Sequence, residues 1–366
     1  MSDQANKTRM LPDEDASTQE KQLSATPELD SLPVKPQERY KFLRSIGFGG
    51  MKAVLLVHDL DTDREVAMAM MPDFRERPPA DLERFVREAK LTAGLEHPNI
   101  IPVHDIGKDS SGSPYFTMKY LRGTALSTVL RRLGGHNQKT VESFNLQKLL
   151  RIYLRICNAI TFAHSHNVCH LDLKPENIIV GAYGEVIVLD WGLACKTDDN
   201  GNAVMPPDWR RKGTPGFMPP EQIATDPRFP LGKHSDIYSL GALLYSFLTL
   251  SAPGAGAGGI EEQLRLTVTG QLPPPSAVAP EGRTIPAALE AICLKAMALA
   301  PANRYSSAEA IGKDIIAFQN GYAPVAENAS ALRRSSLFIS RNLALLLIVF
   351  LALAVILLVL FIWWKH

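Results

Sequence analysis

The sequence predicts an α+β, bilobal protein: a small strand-rich lobe, a larger helical lobe, and one membrane-spanning helix towards the C-terminus. Three observations predict it. Short alternating apolar runs fill residues 37–121; apolar stripes at helical spacing dominate 122–321; and Leu343–Trp364 contains no charged residue, no Pro and no Gly.

Taken in order, residues 1–36 are polar, rich in Pro, Asp, Glu, Ser and Thr, and poor in large apolar side chains. They cannot bury enough surface to offset their ordering entropy, so this segment is expected to be disordered. No apolar stretch opens the chain, and a secretory signal is not expected. Within the first lobe (37–121), Ala53–Val57 and Glu65–Met70 read as strands. Ala80–Ala93 reads as a helix whose Leu82, Phe85, Val86 and Ala89 form one apolar stripe. The second lobe (122–321) is expected to hold helices over Leu146–Ser165, Ser235–Leu250, Pro286–Ala298 and Ser306–Gln319. The glycine-rich run Ala252–Gly259 between two of them reads as a flexible surface connection.

Residues 322–342 read as a juxtamembrane linker, followed by the apolar segment 343–364. At helical rise that segment spans about 33 Å, enough for a hydrocarbon core of roughly 30 Å. A core helix would show a polar face, and this segment has none. Arg333, Arg334 and Arg341 precede it and only Lys365 and His366 follow, which places the lobes on the cytoplasmic side of the cell membrane, with Trp363 and Trp364 at the far interface. A cleavable lipid-anchor tail would need entry by a signal peptide.

Composition narrows the function classes. A formal net charge of +1 lacks the basic field of a nucleic-acid binder. The four cysteines, Cys157, Cys169, Cys195 and Cys293, show no Cys-x-x-Cys spacing and read as reduced and mostly buried. His164, His166 and His170 have no matching ligand pair elsewhere, so a packed helix end is the expectation rather than a metal site.

The most informative stretch is His170-Leu-Asp-Leu-Lys-Pro-Glu-Asn177, with Asp190-Trp-Gly192 thirteen residues later. It supplies a carboxylate to receive a hydroxyl proton, a cation for a moving phosphoryl group, and two oxygen ligands for Mg²⁺. Further on stands Gly213-Thr-Pro-Gly-Phe-Met-Pro-Pro-Glu221. Together these resemble the catalytic loop, the metal-binding turn and the end of the activation segment of protein kinases. The resemblance covers roughly Tyr40 to Gly321 and is closest to bacterial (Hanks-type) relatives of eukaryotic Ser/Thr kinases. It implies ATP and Mg²⁺ as cofactors and a protein Ser/Thr hydroxyl as acceptor. Asp172 then matches the catalytic aspartate, Lys174 the residue on the transferring group, and Asn177 and Asp190 the metal ligands. Glu221 and Arg304 would form the family's structural ion pair, Asp236 would brace the catalytic loop, and Thr214 would orient the substrate.

The first lobe departs from the pattern. Gly47-Phe-Gly49-Gly50-Met51-Lys52-Ala-Val54 resembles the glycine-rich loop over ATP, but Lys52 stands at the third glycine. In Val66-Ala67-Met68-Ala69 the strand lysine of the family is Ala69. Glu88 is placed as the partner of that missing lysine. Residues two apart on a strand share a face. If Val54 and Ala67 face the adenine, Lys52 and Ala69 therefore face the phosphates, and a lysine stem on one strand can serve the place vacated on the neighbouring one. This arrangement is similar to the with-no-lysine kinases. By the same resemblance Met118 is the gatekeeper, and backbone groups of Lys119 and Leu121 bond the adenine edge.

Leu171 replaces the arginine that binds an activation-loop phosphate in many kinases, and between Trp191 and Gly213 the only hydroxyl acceptor is Thr197. Activity without activation-loop phosphorylation is the expectation. Arg210, Arg211 and Lys212 read as a solvated basic loop. The expected partners are a protein substrate and membrane lipid along 343–364, with a homodimer left open and no nucleic acid. Two alternatives stay open: a catalytically inactive pseudokinase acting as a nucleotide-binding membrane scaffold, and a small-molecule kinase of the same fold.

Overall fold

The structure, a computed structural model, describes residues 32–33, 39–48, 52–205, 212–224 and 229–365. The segment expected to be disordered, 1–36, lies outside these except for Leu32 and Pro33. Gly49, Gly50, Arg210 and Arg211 also lie outside them. The chain divides into two compact units, Met1–Gly94 with Pro102–Tyr120, and Leu95–Ile101 with Leu121–His366.

The first unit carries β1 (Tyr40–Phe48), β2 (Ala53–Asp59), β3 (Arg64–Met70), α1 (Pro79–Ala93), β4 (Val103–Lys108) and β5 (Pro114–Lys119). Its strands form one antiparallel sheet in the order β1-β2-β3-β5-β4. Pro79 at the first helical position and Asp81 in the first turn suit a helix start. The α1 stripe is buried as its spacing requires: Leu82, Phe85, Val86 and Ala89 pack in one cluster with Ala69, Met71 and Phe116. Leu32 joins that cluster at 6% exposure, and the Pro33 carbonyl accepts from the Lys108 amide at 3.0 Å. The expected boundary at residue 37 is therefore too late for this residue. A single leucine in a polar stretch has no periodicity that would mark it as core.

The second unit carries β6 (Gly123–Ala125), α2 (Leu126–Gly134), α3 (Gln138–Ser143), α4 (Leu146–Ser165), β7 (Val168–Cys169), β8 (Ile178–Gly181), β9 (Val186–Val188), β10 (Cys195–Lys196), α5 (Pro220–Ala224), α6 (Lys233–Thr249), α7 (Ile260–Thr269), α8 (Ala287–Ala296), α9 (Ala308–Gln319), α10 (Ala331–Arg341) and α11 (Leu343–Lys365). Small sheets β6-β8-β9 and β10-β7 hold the loops that matter for chemistry. Asn145 caps α4 by accepting from the Lys148 amide, and Ser307 caps α9 by accepting from the Ala310 amide. The second cap explains why α9 begins two residues later than its apolar pattern suggested. Every residue of α6 from Ser235 to Thr249 is buried, so it is the central helix. The run Ala252–Gly259 is a series of turns rather than a loose connection. Gly254 adopts φ 70°, and the Pro253 carbonyl accepts from Gln263 Nε2 at 2.6 Å.

The segment 322–342 is also more ordered than a linker. It contains α10, and only Asn342 separates α10 from α11. Over Leu343–Trp364 α11 is long and apolar enough to cross a membrane, with mean hydropathy 3.7 over its most apolar 18 residues and no burial among the described residues. All four cysteines are buried free thiols.

Candidate active site

The loop after β7 is held from beneath by Asp236 in the first turn of α6. Its two carboxylate oxygens accept the His170 and Leu171 amides, each at 2.8 Å, and His164 Nε2 donates to it at 2.8 Å. This clamp fixes Leu171 at φ 61°, a left-handed conformation that costs a non-glycine residue about 1–2 kcal/mol. Gln222 Nε2 adds a bond to the Leu171 carbonyl at 3.0 Å. Burial alone would raise the Asp236 pKa, but the His164 hydrogen bond and the His164 and His170 charges outweigh it and hold the carboxyl below its ordinary range. His164 is thus part of a loop clamp rather than only a packed helix end. The sequence singled out His164 only as a packed helix end and Gln222 not at all, because both act across large sequence separations.

A polar cluster converges on Asp172. Lys174 Nζ donates to Asp172 Oδ2 and to Thr214 Oγ1, both at 2.8 Å, and Thr214 Oγ1 donates to Asp172 Oδ1 at 3.2 Å. Asn177 Nδ2 donates to the Asp172 carbonyl at 2.9 Å and to its Oδ2 at 3.3 Å, which leaves the Asn177 amide oxygen as the atom that could ligate a cation. The Leu189 amide donates to the Asn177 carbonyl at 2.7 Å, setting Asp190 one residue from a direct tie to Asn177. Asp190 adopts φ 56°, and the next residue, Trp191, is 1% exposed and stacks obliquely on His170 with centroids 4.6 Å apart. An amide oxygen and a carboxylate are the hard donors that Mg²⁺ takes alongside phosphate oxygens and water. The donor set fits that ion.

In the first unit, the β2–β3 register places Val54 opposite Ala69 and Leu56 opposite Ala67. Directly opposed residues share a face, so Val54, Ala69 and, two positions before Val54, Lys52 point the same way. Ala69 has no exposed surface and lies in the cluster built on α1. The lysine on that face therefore meets the helix: Lys52 Nζ forms an ion pair with Glu88 Oε1 of α1. Glu88 is buried and Lys52 partly so. Gly47 lies on β1 opposite Val54, and Ala67 is buried opposite Met118 on β5. The Lys119 amide already donates to the Pro102 carbonyl at 3.1 Å, so only its carbonyl could meet a nucleotide. Leu121 opens the second unit.

The segment after Asp190 is anchored by apolar contact. Leu171 is 2% exposed and clusters with Cys169, Cys195 and Leu231, with Leu193, Ala203 and Met205 packed against them. Thr197 is buried, and its amide bonds the Asn167 carbonyl at 2.7 Å. At the far end of the segment, Arg304 donates to both Glu221 oxygens at 2.7 and 2.8 Å and also to the Ala298, His234 and Leu299 carbonyls. Burial pushes Glu221 up, yet the Arg304 bonds win and hold it below its ordinary pKa. Arg304→Ala would leave that buried carboxylate only the Ser235 hydroxyl at 2.9 Å and the His234 ring at 3.7 Å, and is expected to destabilise the fold by about 3–5 kcal/mol, read as a lowered denaturation midpoint.

The same two carboxylates set an acid limit. Their folded pKa values lie below the unfolded ones, so their stabilisation is complete above the ordinary carboxylate range and is lost as pH falls through the lowered values. Thermal melts taken at successively lower pH should show the melting temperature dropping only in that acid window. A flat profile there would contradict the assignment.

Strand-rich and helical units carrying, respectively, a lysine–glutamate pair and an Asp–Lys–Thr–Asn cluster beside an Asp-x-Gly turn define a phosphotransferase-type architecture. Comparison with known proteins makes this specific. Residues 40–316 match the protein kinase domain, and the chain belongs to that family. It is 34% identical over 312 residues to the serine/threonine-protein kinase PknD of Protochlamydia amoebophila, which covers 80% of this chain and 31% of that protein. The PknD proteins of Chlamydia pneumoniae (34% over 295 residues; 76% and 31%) and Chlamydia trachomatis serovar D (33% over 306 residues; 78% and 32%) are similar. The chain thus spans about a third of the length of these curated relatives.

Proposed function

We propose that the chain is a membrane-anchored Ser/Thr protein kinase in which Lys52 does the work of the missing strand lysine. The observation that carries this is the Lys52–Glu88 ion pair beside a buried Ala69. Degeneration of a kinase would have no reason to keep Glu88 paired to a lysine from another strand. Lys52, held by Glu88, would contact the α- and β-phosphates of ATP. Asn177 and Asp190 would hold Mg²⁺, which supplies charge neutralisation of the phosphate oxygens when bound. Asp172 receives the proton of the acceptor hydroxyl, which Thr214 and Lys174 orient, and Lys174 offsets charge on the moving group. The protein's share is positioning and electrostatics.

The segment 343–364 would anchor the kinase domain on the cytoplasmic side. The reading is tested with the full chain in detergent, ATP, Mg²⁺ and a generic basic protein, with phosphoserine and phosphothreonine identified by mass spectrometry. The competing reading, an inactive nucleotide-binding scaffold, rests on Ala69 and would stand if no time-dependent transfer were seen.

The apolar packing of Leu171 and the burial of Thr197 support activity that needs no phosphate on the activation segment. Phosphatase treatment is expected to leave the initial rate unchanged. Abolished activity, with Thr197 as the modified residue, would overturn this.

A further inference from the structure

The segment joining the kinase domain to α11 builds a groove whose chemistry the proposed phosphoryl transfer does not use. Its floor is pinned: the buried Asp314 carboxylate of α9 accepts the Val325 amide at 2.7 Å, the Ala326 amide at 3.0 Å and the Tyr305 hydroxyl at 2.7 Å. Its wall is α10, capped by Ser330, which accepts from the Arg333 amide. The wall is clamped to the floor by Arg341, whose guanidinium lies 3.8 Å over the Tyr322 ring and donates to the Gly321 carbonyl at 3.3 Å. The groove is open to solvent and holds about 820 Å³, lined among others by Tyr322, Val325, Arg334, Phe338, Ile339 and Arg341.

Three features point to one occupant. The lining includes two arginines and no acidic side chain. Its apolar members Val325, Phe338 and Ile339 are 72%, 52% and 50% exposed, a poor arrangement for a surface facing only water. And α10 runs into the apolar α11 with Asn342 alone between them, so Arg341 and Phe338 lie about 3 and 8 Å along the chain from the start of that span, and the far end of α10 about 18 Å. The headgroup layer is roughly 5–8 Å deep on each side of the hydrocarbon core, so the Phe338–Arg341 end of the groove meets it.

We propose that this groove binds an anionic phospholipid, with Arg334 and Arg341 taking the phosphate and the apolar residues taking the upper part of an acyl chain. A guanidinium offers five N–H donors, so Arg341 can remain stacked on Tyr322 and still present an edge to a phosphodiester. Arg333 is a built-in control, because it is spent on Glu327 at 2.8 Å and does not line the groove. The inference rests on the membrane-spanning reading of α11 but not on catalytic activity.

The test uses the full chain, extracted in mild detergent and re-equilibrated with phosphatidylglycerol and phosphatidylcholine, with bound lipid counted by native mass spectrometry. Wild type should retain phosphatidylglycerol on the order of tenfold over phosphatidylcholine. The Arg334→Gln/Arg341→Gln double variant should lose the preference, and Arg333→Gln should keep it. Equal retention of the two lipids by wild type overturns the site, and equal loss of the preference in all variants overturns it too, pointing to diffuse charge attraction only. Inorganic phosphate competing as well as lipid would also overturn it. Carbonate extraction of the expressing membranes separates the two readings. A chain that stays integral but shows no lipid preference sinks the groove alone, whereas a chain released by carbonate sinks the span and the groove together.

Discussion

Lys52→Ala is expected to lower phosphoryl transfer roughly 10²–10³-fold, the loss seen when one preorganised charge contact to a reacting phosphate or oxyanion is deleted. The same variant leaves Glu88 buried in the first unit with its ion-pair partner gone, so a modest loss of thermal stability should accompany it. Adding Ala69→Lys is the decisive arm. Ala69 sits opposite Val54, on the face that carries Lys52 and packs against α1. A lysine there points its stem towards the same glutamate and should recover part of the rate. It also inserts a long side chain into a cluster where Ala69 has no exposed surface, so recovery will be incomplete. Turnover unaltered by Lys52→Ala would remove the assignment of the missing lysine's role to Lys52. Loss of rate without any recovery in the double variant would leave Lys52 important but would break the claim that one position substitutes for the other.

Asp172→Asn should be as severe, roughly 10²–10⁴-fold in rate, because it removes the group that receives the hydroxyl proton. Nucleotide affinity should barely move, since Asp172 is bound to Lys174, Thr214 and Asn177 rather than to the lysine–glutamate pair. That split between rate and affinity separates a kinase from a scaffold. Binding alone cannot, because both would bind ATP. Equal phosphoryl transfer by wild type and Asp172→Asn would mark the observed transfer as a contaminant's.

What the sequence made legible was whatever is written in local period or fixed spacing. The α4 limits, Leu146–Ser165, follow from an unbroken stripe behind a capping asparagine, and α1 from the Leu82–Ala89 pattern. The Asp172–Asn177 turn is short enough that its internal bonds follow from spacing. The pairing of Lys52 with Glu88 followed from strand alternation together with the kinase resemblance, which supplied Glu88 and the antiparallel neighbour. Illegible were contacts that exist only after distant elements pack. Leu171 reads as a missing arginine, yet its place is filled by a cluster drawn from Cys169, Cys195 and Leu231. His164 gave no hint of Asp236, seventy-two residues away. Leu32 and the α10 helix were hidden for simpler reasons: a lone apolar residue has no period, and α10, though amphipathic, is short, rich in Arg and Ser, and buries no residue.

The single residue Asn342 between α10 and α11 has a mechanical consequence. If α11 is fixed in a bilayer, a leash this short confines the kinase domain to a thin layer above the lipid, and its search for targets becomes two-dimensional. Targets embedded in the same sheet would meet it at effective concentrations near the millimolar range typical of short tethers, while freely diffusing proteins would gain nothing. Selectivity of this kind is set by address rather than by any contact around the phosphate-accepting hydroxyl.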